Sequence, residues 1–205
     1  DFIKGGIDVV EMIVGSIVDE MEKDNLFEKE MKEHYVYALT TMIEKWITTI
    51  FILAMGVLAK QIVPMILFLI FFFSLRKRTG GYHADSYGQC FCGTMGICIT
   101  IIFTVPILLR NMWVVYGLLI GSIILICLIG TVNHPNLDMD HYELRQSNKS
   151  ARILLCLESS VIIAADSLGI CKVWICYMAI AIILCAFLLC LTKILKQEVQ
   201  HYEKE

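Results

Sequence analysis

The sequence predicts an all-α integral membrane protein of about six transmembrane helices preceded by an amphipathic helix. Three observations carry this. The 205 residues are 58% hydrophobic and only 18% charged, with a mean hydropathy of +0.71, a membrane composition rather than that of a soluble domain. Apolar runs recur at close to the ~20 residues a helix needs to cross the hydrocarbon. The lysines and arginines between those runs alternate between rich and poor clusters, as short loops on opposite membrane faces do.

Residues 1–33 form the first element, an N-terminal helix rather than a span. Ile3, Ile7, Val10, Val14, Ile17 and Met21 step by four and three, which lines one face of a helix, while Lys4, Asp8, Glu11 and Asp19 fall elsewhere. The segment carries ten acids against four lysines, a poor charge for an anionic leaflet. Its apolar stripe is therefore expected to pack on protein: its own subunit, a second copy, or a substrate. Asp1, Asp8 and Glu11 interrupt any apolar stretch there, so no cleavable signal peptide is expected.

Six spans follow, at 42–59, 61–75, 91–109, 113–132, 153–171 and 173–192, with a tail at 193–205, and residues 1–205 read as one membrane domain. The second span is short and has Pro64 near its start, which suits a thinned bilayer or an extension through Arg76. With the N-terminus inside, the outer loops carry only Lys60, Arg110 and Lys172. The inner segments carry Arg76, Lys77 and Arg78, then Arg145, Lys149 and Arg152, then Lys193, Lys196 and Lys204.

Between the second and third spans, at the expected cytoplasmic face, lies a polar stretch: Arg76-Lys77-Arg78-Thr79-Gly80-Gly81-Tyr82-His83-Ala84-Asp85-Ser86-Tyr87-Gly88-Gln89-Cys90. His83 and Cys90 are the minimum apparatus for acyl transfer, since a thiol attacks as its thiolate and an imidazole within reach can take the proton. On one continuous helix seven residues would separate them by about 10.5 Å along the axis. The backbone between them, within a catalytic segment 76–92, is therefore expected to bend, as an irregular or re-entrant His/Cys segment. Gly80, Gly81 and Gly88 tolerate such a bend, and a helix starting near Cys90 would set its positive end beside the sulfur. In this arrangement Cys90 is the candidate nucleophile and His83 the general base that becomes the acid for the departing amine. Arg76, Lys77 and Arg78 make a positive rim for acidic groups, although topology alone also explains them. Gly81 would let a bound peptide backbone approach closely. The group that orients His83 stays open. Asp85 is nearest, Gln89 suits an oxyanion donor, and Asn133 or Glu158 could arrive from elsewhere in the fold.

The remaining signals are weaker. The nine cysteines fit neither a disulfide framework nor thiol redox chemistry, because most lie in the spans and Cys90-x-Cys92 is not C-x-x-C. Residues 133–152 read as a solvated cytoplasmic loop. His134, Asp138, Asp140 and His141 mix ligand types without an H-E-x-x-H pair, so neither a metal nor another cofactor is expected. Glu158 and Asp166 fall within the fifth span, about 80° apart on a helix. Carboxylates there suggest an alternative class, a small ion- or proton-coupled transporter. No matching halves with broken helices support it.

The 76–90 stretch resembles the accessory gene regulator B (AgrB) family of bacterial membrane cysteine endopeptidases. The agreement rests on the basic cluster after the second span, Gly80-Gly81-x-His83-Ala84, Cys90 seven residues after His83, the chain length and the six-span layout. His134-Pro135-Asn136 is similar to the family's cytoplasmic loop, though Asp138, Asp140 and Glu143 stand where such loops are often richer in lysine. The resemblance implies a multi-pass protein of the bacterial cell membrane whose active site faces the cytoplasm. Its substrate would be an AgrD-like propeptide with an amphipathic leader and an acidic C-terminal tail. The enzyme would remove that tail through a thioester, and an internal propeptide nucleophile would then close a thiolactone ring, giving a quorum-sensing autoinducer precursor. The expected partners are that propeptide, the lipid bilayer and a second copy in a homodimer, with no nucleic acid.

Overall fold

Helices account for all regular structure among the residues that a computed structural model of the chain describes, 2–24, 31–80, 87–132 and 140–195. In order they are α1 (Phe2–Lys23), α2 (Lys32–Leu58), α3 (Ile62–Thr79), α4 (Tyr87–Leu108), α5 (Met112–Ile129), α6 (His141–Ser167) and α7 (Lys172–Ile194). A helix stands at each of the six places where a span was expected. Among the described residues four of them, α2, α4, α5 and α7, are long and apolar enough to cross a membrane. In the other two, charge cuts the apolar stretch short. The apolar part of α3 ends at Leu75, before Arg76, Lys77 and Arg78, and α6 contains Arg145, Lys149, Arg152, Glu158 and Asp166.

Local chemistry explains where the helices stop. Gln61 N–H donates to Gly56 O and Lys60 N–H to Val57 O, a closing turn that places Lys60 at φ 57, in the left-handed region. The end of α6 closes the same way, with Ile170 N–H on Ala165 O and Gly169 at φ 69. Pro64 is third in α3, where its missing N–H costs nothing, whereas Pro106 removes a hydrogen bond near the end of α4, which stops at Leu108.

Three expectations need correction. The N-terminal helix does not run to residue 33: α1 ends at Lys23 and α2 begins at Lys32, ten residues ahead of its apolar run. Lys32 ties the two helices by ion pairs to Asp19 (2.6 Å) and Glu22 (2.8 Å), and its hydrogen bond and charge hold the Asp19 carboxyl below the usual carboxylate range. On α1, Val14 and Val18 are buried while Ile17 is exposed, so the covered line follows the four-residue step past Val14.

The stretch 133–152 is not all loop, because residues from His141 onward are helical. Asp140 precedes the helix, and its N–H donates to Glu143 Oε2 at 3.2 Å, a capping-box contact that marks the start of α6. Finally, the helix expected to start near Cys90 already starts at Tyr87, so the bend expected between His83 and Cys90 does not extend through residues 87–90.

The chain divides into two compact units, Asp1–Met55 with Ala84–Ile99, and Gly56–His83 with Thr100–Glu205. In the second, α7 packs on α3, α5 and α6, and α3 also packs on α6. Ala179, Ala181, Cys185 and Ala186 on α7 are buried small side chains that let neighbouring backbones come close. Gly56 serves the same end between α2 and α3, where a Cβ would stand 3.1 Å from that of Met65.

Candidate functional site

Cys90 is the fourth residue of α4, in its first turn, with an exposed side chain. Helical side chains lean back toward the N-terminus, so the sulfur lies over the turn whose N–H groups lack intrahelical acceptors. That turn is anchored to α2 within the first unit. Tyr87 OH donates to Glu44 O at 3.2 Å and lies 3.2 Å from Thr48 Oγ1. Phe91 meets the Phe51 ring edge-on at 5.4 Å and the Tyr87 ring at 5.9 Å. Thr94 Oγ1 donates to Cys90 O at 2.8 Å, closing the turn from below. Gln89 is exposed beside Cys90.

Cys92 is also exposed, but two helical positions turn it about 200° away from Cys90. Cys98, Cys176 and Cys185 are buried. Iodoacetamide is accordingly expected to modify Cys90 at least about tenfold faster than these three, as peptide mapping by mass spectrometry would show. Equal rates for Cys90 and Cys98 would contradict the placement.

In the second unit α3 ends in the basic cluster. Lys77 is exposed, whereas Arg76 and Arg78 are half-buried and turned onto carbonyls: Arg76 Nη1 donates to Gly80 O at 2.8 Å and Arg78 Nη1 to Ser74 O at 3.0 Å. Arg76 thus caps the end of α3 and Arg78 lies back along its last turns, where positive charge also complements the helix dipole. Lys77 is the cluster member that presents its charge outward.

The two carboxylates of α6 are kept apart. Glu158 lies on a buried line with Ala151, Leu155, Ile162 and Ala165 and is 5% exposed. Its Oε1 accepts from Ser74 Oγ at 2.9 Å, while Oε2 is buried without a hydrogen-bond partner. Two turns on, Asp166 pairs with Lys172 and accepts from Tyr116 OH at 2.9 Å, tying α5, α6 and α7 together. No group of three or more His, Cys, Asp or Glu side chains suited to a metal ion occurs among the described residues.

His83, Asp85 and Gly81 lie outside the described residues, as do Asn133, His134 and Asp138. Cys90 and Gln89 belong to the first unit, and Arg76, Lys77, Arg78 and Glu158 to the second.

Residues 11–195 match the family model described as Accessory gene regulator B. The chain belongs to the accessory gene regulator B family. No curated protein and no solved structure matches it. Membership covers most of the chain and places the protein in the accessory gene regulator quorum-sensing system, as a protease-like membrane protein functionally linked to the AgrD propeptide. The four apolar helices agree with an AgrB protein embedded in a membrane.

Sequence reasoning did not anticipate the contacts that hold the end of α3. Arg78 O accepts from Thr131 Oγ1 at 3.0 Å and from Ser147 Oγ at 2.9 Å, and Thr79 O accepts from Val132 N–H at 3.0 Å. One signal was available: Gly80 and Gly130 each follow a helix directly, and both adopt the same C-terminal geometry, at φ 70, ψ −151 and φ 74, ψ −151.

Proposed function

We propose that this AgrB protein is a membrane cysteine endopeptidase that removes the acidic C-terminal tail of an AgrD-like propeptide and promotes ring closure of the remainder. The observation that carries this is Cys90, exposed in the first turn of α4, in a chain matched by the family over residues 11–195.

The Cys90 sulfur, its proton taken by His83, attacks the scissile carbonyl. The tetrahedral intermediate collapses as His83 returns the proton to the departing amine; the tail leaves, and the rest of the propeptide stays as a thioester on Cys90. An internal thiol of the propeptide, a Cys in the usual case, then adds to that thioester and loses its proton, and Cys90 departs as the thiol. Gln89 or a backbone N–H of the first turn of α4 serves the oxyanion, and Asp85 orients His83. Gly81 admits the peptide backbone. Of the rim Arg76, Lys77 and Arg78, exposed Lys77 is best placed for the acidic tail.

The Lys and Arg distribution supports six spans with this chemistry at the cytoplasmic face of the bacterial cell membrane. A homodimer belongs to the same proposal. The transporter alternative has less support, because Asp166 is already ion-paired with Lys172.

The fate of the acyl group tests the reading. Wild-type enzyme with intact propeptide is expected to yield free tail and a cyclic product lighter than the linear cleaved peptide by one water, since attack from within the bound peptide enjoys a large effective molarity. With the propeptide's internal nucleophile changed to Ala, a hydroxylamine-sensitive adduct on Cys90 or slow linear hydrolysis is expected. A linear product formed from the unmodified propeptide as fast as the tail appears would leave a protease and remove the cyclase.

A further inference from the structure

The last turn of an α-helix leaves carbonyls with no partner along the chain, and a buried end must find donors elsewhere. The end of α3 is such a case. Thr79, Thr131 and Val132 are 0%, 7% and 0% exposed while Arg78 and Ser147 are half-buried, so this end is largely shielded from water and protein groups supply the donors. They come from the start of the α5–α6 connection and from α6. Thr131 Oγ1 and Ser147 Oγ converge on Arg78 O at 3.0 and 2.9 Å, and Val132 N–H reaches Thr79 O at 3.0 Å. A Cβ on Gly80 would stand 2.7 Å from Val132 O, so the two backbones touch side by side as they leave α3 and α5. All these groups lie within the second unit.

We propose that Thr131 and Ser147 are positioning residues for tail removal: by holding the Arg78 carbonyl they fix the point and direction at which the chain leaves α3, three residues before His83. The inference rests on the cysteine-endopeptidase reading. Its physical content is that an acyl transfer depends steeply on the placement of the base, with a misplacement of about 1 Å costing up to ~100-fold in rate. In this proposal the hydroxyls act on the base through the four residues of backbone between Arg78 and His83.

Both hydroxyls must go to free the carbonyl, so the variant that tests this is Thr131→Val with Ser147→Ala, shape-conserving at the first position. The protein is assayed whole, in membranes or detergent, on a synthetic propeptide with an amphipathic leader, an internal Cys and an acidic tail. Rates are normalised to the amount of folded enzyme, measured as the fraction in which buried Cys176 and Cys185 resist iodoacetamide. The expected result is a fall in kcat of about 10- to 100-fold with KM within about threefold of wild type. Thr131→Ser and Ser147→Thr, which keep the hydroxyls, are expected to stay within about threefold in kcat.

A purely structural role would lower the amount of enzyme with protected Cys176 and Cys185 and leave kcat per folded molecule unchanged. A double variant within about threefold of wild-type kcat therefore overturns the clamp. If the double variant is lost from the membrane, Ser147→Ala alone decides: it must reduce kcat several-fold while Ser147→Thr does not, and equal rates for the two overturn the proposal. Cys90→Ala run alongside separates the two levels of the argument. Tail release that persists in Cys90→Ala refutes the endopeptidase reading and the clamp with it, whereas release lost there but unaffected in the clamp variants refutes the clamp alone.

Discussion

Cys90→Ala is expected to end release of the propeptide tail, by a factor of at least about 10⁴, while the protein still inserts into the membrane. The size of the effect follows from the step removed. Without the sulfur no thioester forms, so both cleavage and ring closure lose their shared intermediate. His83→Ala is expected to fall almost as far, because the thiol then lacks a partner for its proton and the amine leaves without one. The two losses should not add, since nucleophile and base act as one unit. Insertion should be untouched because Cys90 is exposed and no buried contact depends on its sulfur. Cys92→Ala, turned about 200° away on the same helix, is the internal control and should keep most of the activity. The measurement is mass analysis of tail and peptide products after co-expression with the propeptide, with membrane fractionation to show that each variant is present. The assignment fails if Cys92 or Cys98 proves essential and Cys90 does not.

Apolar runs marked each helix after the first among the described residues, because a continuous apolar stretch with its backbone satisfied internally suits burial in lipid or in protein. What they could not mark was where a polar extension continues as helix. Lys32 to Thr41 at the head of α2 and His141 to Arg152 at the head of α6 mix charged and polar residues with a few apolar ones, and hydropathy is blind to them. The capping pair Asp140 and Glu143 was legible in the second case and outweighs composition.

The candidate site divides in the same way. Cys90 was readable because its chemistry needs a particular residue type at a particular spacing from His83. Thr131, Val132 and Ser147 were not, because they serve the end of α3 from 53 or more residues away in the chain, and only the packing of α3 against its neighbours makes those donors useful. Glu158 illustrates a third situation. As an acid in an apolar run it stood out, yet its contact with Ser74 belongs to the α3–α6 interface and could not be read from either helix alone.

Gly80→Ala is expected to be the most damaging of three matched glycine substitutions, ahead of Gly130→Ala and well ahead of Gly169→Ala. All three residues have positive φ, of 70, 74 and 69, so each variant strains a backbone that L side chains avoid, at about 1–2 kcal/mol. Gly80 and Gly130 have in addition ψ of −151, a region essentially reserved for glycine, where strain runs to about 1–3 kcal/mol. What surrounds each Cβ then separates them. At Gly169 it would meet nothing within 4 Å. At Gly130 it would meet the Asn148 side-chain amide, 2.9 Å from Nδ2, and a side chain can turn away at moderate cost. At Gly80 the obstacle is Val132 O at 2.7 Å, part of a backbone held in turn by the Val132 N–H bond to Thr79 O. Relief there requires the chains leaving α3 and α5 to move apart, which breaks that bond and shifts the segment leading to His83. Thermal unfolding in detergent should therefore show a fall of a few °C for Gly169→Ala, at about 2–4 °C per kcal/mol for a chain of this size, and at least twice that for Gly80→Ala. Tail release per folded molecule should fall steeply in Gly80→Ala and stay near wild type in Gly169→Ala. Equal unfolding temperatures for these two variants would mean that the contact between Gly80 and Val132 does not hold the end of α3.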